Sequence, residues 1–74
     1  MLFDYSALRG KIVEKFGTNK KFAKFISMPA ATLSMKLNNK LQWKQSEIDS
    51  AMKALGIDES DISRFFFCSS NSKF

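Results

Sequence analysis

Apolar side chains recur along this chain with a helical period that glycine, proline and asparagine interrupt. Between Asp4 and Gly17, Leu8, Ile12 and Phe16 stand four residues apart with Tyr5 and Val13 beside them, and Arg9, Lys11, Glu14 and Lys15 occupy the rest of the wheel. This spacing predicts an amphipathic helix from about residue 5 to about residue 16, with Asp4 as its cap and Gly17 as the left-handed residue that closes it. Thr18 caps a second, short helix over 19–26, in which Phe22, Ala23 and Ile26 share a face and Lys20, Lys21 and Lys24 point away. Ser27 and Met28 break the pattern, and Pro29, suited to a first helical turn, opens a third helix through Leu37 with Leu33 and Leu37 inward. Asn38, Asn39 and Lys40 read as a turn, and Leu41 to Lys44 as a loop carrying the only tryptophan, Trp43. A fourth helix begins near Gln45 with Ile48, Ala51, Met52 and Leu55 as its stripe, and Gly56 followed by Ile57 is its stop. Asp58 or Ser60 caps a final helix through Ile62 to Phe66.

No alternating run is long enough for a strand. The expected fold class is therefore all-α: a single compact domain of about five helices over residues 1–68, with a polar tail over 69–74. Its expected core comprises Leu8, Ile12, Phe16, Phe22, Ala23, Ile26, Leu33, Leu37, Ile48, Ala51, Leu55, Ile57, Ile62 and Phe66.

Composition narrows the function classes. With 74 residues, 45% hydrophobic and 14% aromatic, the chain suits one core, too apolar for a disordered tail and too short for a second domain. The longest apolar run, Phe65 to Cys68, falls far short of the roughly 20 residues that cross a bilayer, and the start lacks a signal-peptide core. A soluble intracellular protein with no membrane partner is expected. One cysteine, Cys68, and no histidine exclude an internal disulfide and a Cys/His zinc site, so no cofactor is expected. Asp49, Asp58, Glu59 and Asp61 lie at helix starts or on polar faces, where caps and solvated charges account for them better than general-base work does. Cys68 has no adjacent base and reads as a passive thiol. Without a glycine-rich phosphate loop either, no catalysis and no small-molecule substrate are expected.

Charge is unevenly placed. Residues 1–44 carry nine basic and two acidic side chains, and residues 45–74 three basic and five acidic. The positive potential of the first half suits a polyanion or an acidic protein surface.

Residues 18–40 carry the functional signal. Two helices of about eight residues around a tight turn have the dimensions of a helix-turn-helix, and Thr18, Ala23, Thr32, Leu33, Ser34, Asn38 and Lys40 match the pattern of the Cro/repressor family. This stretch resembles that family's motif, with Asn19 in place of its Gln, Ser27 in place of its turn Gly and Asn39 in place of its second Gly. The resemblance extends to the opening Phe3-Asp4-Tyr5-Ser6 with Gly10, Ile12, Glu14, Lys15, Phe16 and Gly17. It also covers Glu47-Ile48, Leu55-Gly56-Ile57, Asp61-Ile62 and Phe65-Phe66. In these the chain is similar to short phage-encoded regulators of Gram-positive hosts, a family that includes the modulator-of-repression (Mor) antirepressors. The resemblance implies a regulator of the lysis–lysogeny switch in the bacterial cytoplasm, partnered by the cognate phage repressor in a heterodimer.

The third helix separates two mechanisms. Family members that read DNA present Gln, Arg, Asn, Ser or Lys from this helix to base edges. Here those places hold Pro29, Ala30, Ala31, Ser34 and Met35, of which only Ser34 offers a hydrogen bond. An exposed apolar patch of Met28, Pro29, Ala30, Ala31 and Met35, extended by Phe25, is a better surface for a protein. The competing assignment for Met28 and Phe25 is the core. Lys20, Lys21, Lys24, Lys36 and Lys40 are expected as a basic rim that meets acidic groups on a repressor or, in the alternative Cro-like reading, the phosphates of operator DNA.

Overall fold

Every break in the apolar period becomes a helix boundary. The computed structural model describes residues 3–67, and among them are five α-helices: α1 (Ser6–Phe16), α2 (Asn19–Phe25), α3 (Ala30–Leu37), α4 (Gln45–Leu55) and α5 (Ile62–Phe66). A single 3-10 turn, Glu59–Asp61, leads into α5. Cys68 and the polar tail 69–74 lie outside the described residues.

Local chemistry sets the starts. The Thr18 hydroxyl accepts the Lys21 N–H at 3.2 Å and caps α2 as expected. Asp4 accepts the Ser6 N–H at 2.9 Å, and α1 begins one residue later than the spacing suggests. Asp58 caps the 3-10 turn through Ser60. Hydrogen bonds from the Ser6 and Ser60 hydroxyls, and then from their N–H groups, hold the Asp4 and Asp58 carboxyls below the usual range.

The ends of α2, α3 and α4 share one geometry. A residue in the left-handed region follows each helix: Ser27 (φ 59°), Asn39 (φ 63°) and Gly56 (φ 67°). The next N–H then reaches back five residues, from Met28 to Ala23 and from Lys40 to Met35 at 2.8 Å, and from Ile57 to Met52 at 2.9 Å. This is the Schellman arrangement, which satisfies the last carbonyls of a helix and, after α2 and α4, drives the apolar Met28 and Ile57 back against the core. Two of the three left-handed positions, Ser27 and Asn39, are those where the resembled family carries glycine.

Helix α1 packs against α2, α4 and α5, and α3 packs on α2. Leu8, Ile12, Phe22, Leu33, Ala51 and Leu55 are wholly removed from solvent, with Ala23, Leu37, Ile48, Ile57 and Phe66 nearly so. Three expected core residues, Phe16, Ile26 and Ile62, are only half-buried at the edge of this cluster. Phe16 lies at the end of α1, with its ring 5.3 Å from that of Phe22 and 5.2 Å from that of Phe25. The core instead takes in Tyr5, Met28, Met52 and Phe65. Phe65 is further covered by the Arg64 guanidinium, 5.5 Å from its ring centre.

Replacing Leu33 by Ala should remove about 2–5 kcal/mol, most of what an unstapled domain of this size commands. Its circular-dichroism melt should be shifted far down or lack a cooperative step. The opposite sign is expected for Ser27→Gly. Glycine relieves a left-handed strain of about 1–2 kcal/mol and returns about 0.5–1 kcal/mol as unfolded-chain entropy. The net gain should raise the melting temperature by a few degrees.

Candidate functional site

Helix α3 has one face locked into the core and one turned to solvent. Leu33 and Leu37 hold the inner face. Ala30, Ala31, Ser34 and Met35 are all exposed, and because Ala30–Ser34 and Ala31–Met35 stand four apart and Ala31–Ser34 three apart they are neighbours on one helix surface. Pro29, exposed and extended (φ −59°, ψ 139°), carries that surface back to the turn. Met35 is 38% exposed and is its largest apolar group. The Ser34 hydroxyl, its one polar side chain, accepts a long 3.4 Å hydrogen bond from the Asn38 amide.

Lys20, Lys21 and Lys24 are exposed along α2, and Lys40 is exposed just past α3. Between Glu14 and Glu47 the chain has no acidic side chain, so these four cations face no carboxylate of their own segment.

Three candidate residues sit elsewhere than the patch requires. Met28 is buried, and the physical reason is the turn before it: as the residue after left-handed Ser27, it is driven onto α2 by the Schellman hydrogen bond to Ala23. Lys36 is buried as well and does not belong to the basic rim. It stands three residues after Leu33 and so shares the inner face, where its ammonium donates to the Gln42 carbonyl at 2.8 Å and pairs with Glu47 at 2.9 Å. A buried lysine is stable only when its charge is matched in this way. Phe25 is 66% exposed, but its neighbours are Phe16 and a shallow groove lined by Ile26, Ser27, Ser50, Lys53 and Ala54. It faces the α1 and α4 side rather than extending the α3 surface.

The residues that aim α3 were not legible as such. Arg9, part of the polar wheel of α1, donates through Nη2 to the Leu37 carbonyl at 3.1 Å and to Asn38 Oδ1 at 2.8 Å, closing the end of α3 from across the domain. Asn39 binds the backbone of Phe3 in both directions, its amide donating to the Phe3 carbonyl and its Oδ1 accepting the Phe3 N–H, each at 2.9 Å. Glu47 Oε1 accepts the Lys44 N–H at 2.8 Å, as a residue in the first turn of α4 can, and so joins that helix start to Lys36 of α3. The one local signal was the pairing of Lys36 with the Leu33 spacing; Arg9 and Asn39 act on partners too distant in sequence to be paired by pattern.

Burial pushes the Glu47 carboxyl up, but the Lys44 N–H and the hydrogen bond and charge of Lys36 outweigh it and hold the group below its ordinary value of 4.5. The unfolded chain therefore takes up this proton first on acidification. The contribution of Glu47 is complete above that ordinary value and is lost as pH falls through the lower folded one. Melts between about pH 5 and pH 3 should show stability falling with pH, with a shallower fall in Glu47→Gln.

Chemically, the solvent face of α3 is an aliphatic surface with a single hydroxyl, bordered by cations. It lacks the paired donors and acceptors that read base edges. No curated protein sequence matches the chain. A family model described as protein of unknown function (DUF739) matches residues 1–69. Among solved structures, the chain is similar to the solution structure of the modulator of repression (MOR) of the temperate bacteriophage TP901-1 from Lactococcus lactis. That likeness has a TM-score of 0.79 at 45% sequence identity and covers 90% of each chain. It bears out the resemblance to the Mor-containing family of short phage regulators: the chain belongs to the DUF739 family and is a relative of the phage modulator of repression.

Proposed function

We propose that this protein is a phage regulator of the Mor type that acts as an antirepressor. It binds the helix-turn-helix domain of its cognate lysogenic repressor as a heterodimer, covers the surface that repressor presents to its operator, and thereby frees the lytic promoter. The observation that carries this reading is the solvent face of α3, where Pro29, Ala30, Ala31 and Met35 surround the lone hydroxyl of Ser34. Small side chains at Ala30 and Ala31 let a partner's backbone approach closely, and methionine adapts to an irregular surface. Lys20, Lys21, Lys24 and Lys40 supply the complement to acidic groups on the repressor, favouring encounter and orientation more than final affinity.

The same four lysines favour a second reading, in which the protein itself contacts operator DNA. Phosphate contacts of that kind release counterions, so affinity for DNA should fall steeply as salt rises and should depend little on sequence. Tight, sequence-specific binding to DNA by the isolated protein at physiological salt would replace the antirepressor reading with the Cro-like one.

Met35→Asp and Ala31→Asp discriminate further. Both positions are solvent-exposed, so each variant should keep its helical spectrum and melting temperature. Each should lose about 2 kcal/mol or more of binding to the purified repressor domain with no DNA present, roughly thirtyfold in Kd. Unaltered affinity in both would move the docking surface off α3.

A further inference from the structure

A cavity of about 290 Å³ lies past the C-terminal end of α3, bounded by the N-terminal segment, the loop before α4 and the end of α5. Five of the residues that wall it are aromatic: Phe3, Tyr5, Trp43, Phe66 and Phe67. The rings brace one another edge to face, Phe3 against Phe67 at 5.9 Å and 84°, and Trp43 against Phe66 at 5.1 Å and 83°. Leu41 and Phe67 also line the space while remaining 42% and 49% exposed, so they form an apolar rim.

The charge beside the cavity says what would sit there. Lys40 and Lys44 are exposed on either side of the Leu41–Trp43 loop, and neither ammonium is within ion-pair distance of a carboxylate among the described residues, although the Lys44 charge does act on Glu47. The one nearby acid on the N-terminal segment, Asp4, is engaged by Ser6.

We infer that this cavity is a docking pocket for a projecting aromatic side chain on an acidic segment of a partner protein. The volume admits one large side chain, and the aromatic walls favour a ring. The two lysines select acidic flanks. None of the residues lining the pocket belongs to the solvent face of α3, and Lys40 alone is shared between the pocket's flank and the basic rim.

Because Trp43 is the only tryptophan, its indole N–H gives one resolved signal in a nitrogen-15 proton spectrum of the full chain. The probe is a blocked pentapeptide with phenylalanine between two aspartates on each side. Its addition should move that signal saturably. The same peptide with alanine at the centre should bind about tenfold more weakly or not at all. Leu41→Asp and, separately, Phe67→Asp place a carboxylate on the exposed rim and should each weaken binding by about tenfold, Leu41→Asp with an unchanged melting temperature and Phe67→Asp with a lowered one because it loses the Phe3 ring contact. An indole signal that does not move overturns the inference, as does equal binding of the alanine peptide or unaltered binding by whichever rim variant retains its melting temperature. Phenylacetate binding as tightly as the pentapeptide would also overturn it, by making the pocket a site for free aromatic acids.

Discussion

Among the described residues no helix exceeds eleven residues, and helices that short do not persist in water on their own. Each therefore exists only through the face it buries against its neighbours. Helix α1 bears most of that obligation, since α2, α4 and α5 all rest on it through the layer around Leu8 and Ile12. The abrupt left-handed exits at Ser27, Asn39 and Gly56 follow from the same constraint, because short helices can share one core only if the chain reverses sharply between them. Hence a strained serine is tolerated in the turn between α2 and α3: the alternative is a wider turn that would lift Met28 and α3 away from α2.

The division of α3 into two faces is what turns this fold into a functional surface. Its inner side is fixed by Leu33, Leu37 and the aliphatic stem of Lys36, and its end is tied by Arg9. A helix held so firmly can expose alanines and a methionine to solvent without losing its position. A partner then meets a preformed surface and need not order it on binding, which reserves more of the contact energy for affinity.

The sequence made the helices legible because apolar spacing and capping residues are local signals. Thr18, the Leu33 and Leu37 pair and the Gly56-Ile57 stop each carried their meaning within a few residues. Met28 was ambiguous because its burial depends on the conformation of the residue before it, and serine does not advertise a left-handed turn as glycine does. Lys36 was misplaced because residue type argued for the surface while its partners, the Gln42 carbonyl and the Glu47 carboxylate, come from the next loop and helix. The solvent face of the candidate site was readable by subtraction from the core, except at Phe25, whose direction is set by Phe16 of another helix. Arg9 and Asn39 were out of reach of any pattern, since their partners are 28 to 36 residues away.

The clasp between Asn39 and Phe3 has a consequence in time. Its two groups are separated by 36 residues, which a ribosome adds in about 2–7 s at 5–20 residues per second. Through that interval Phe3 has no partner to bind, because Asn39 is still unmade, so the N-terminal segment cannot be in its final place when the residues of α1 and α2 are first complete. The wall that Phe3 contributes to the aromatic cavity is thus among the later parts of the domain to close during synthesis, although Phe3 is made before any of the five helices.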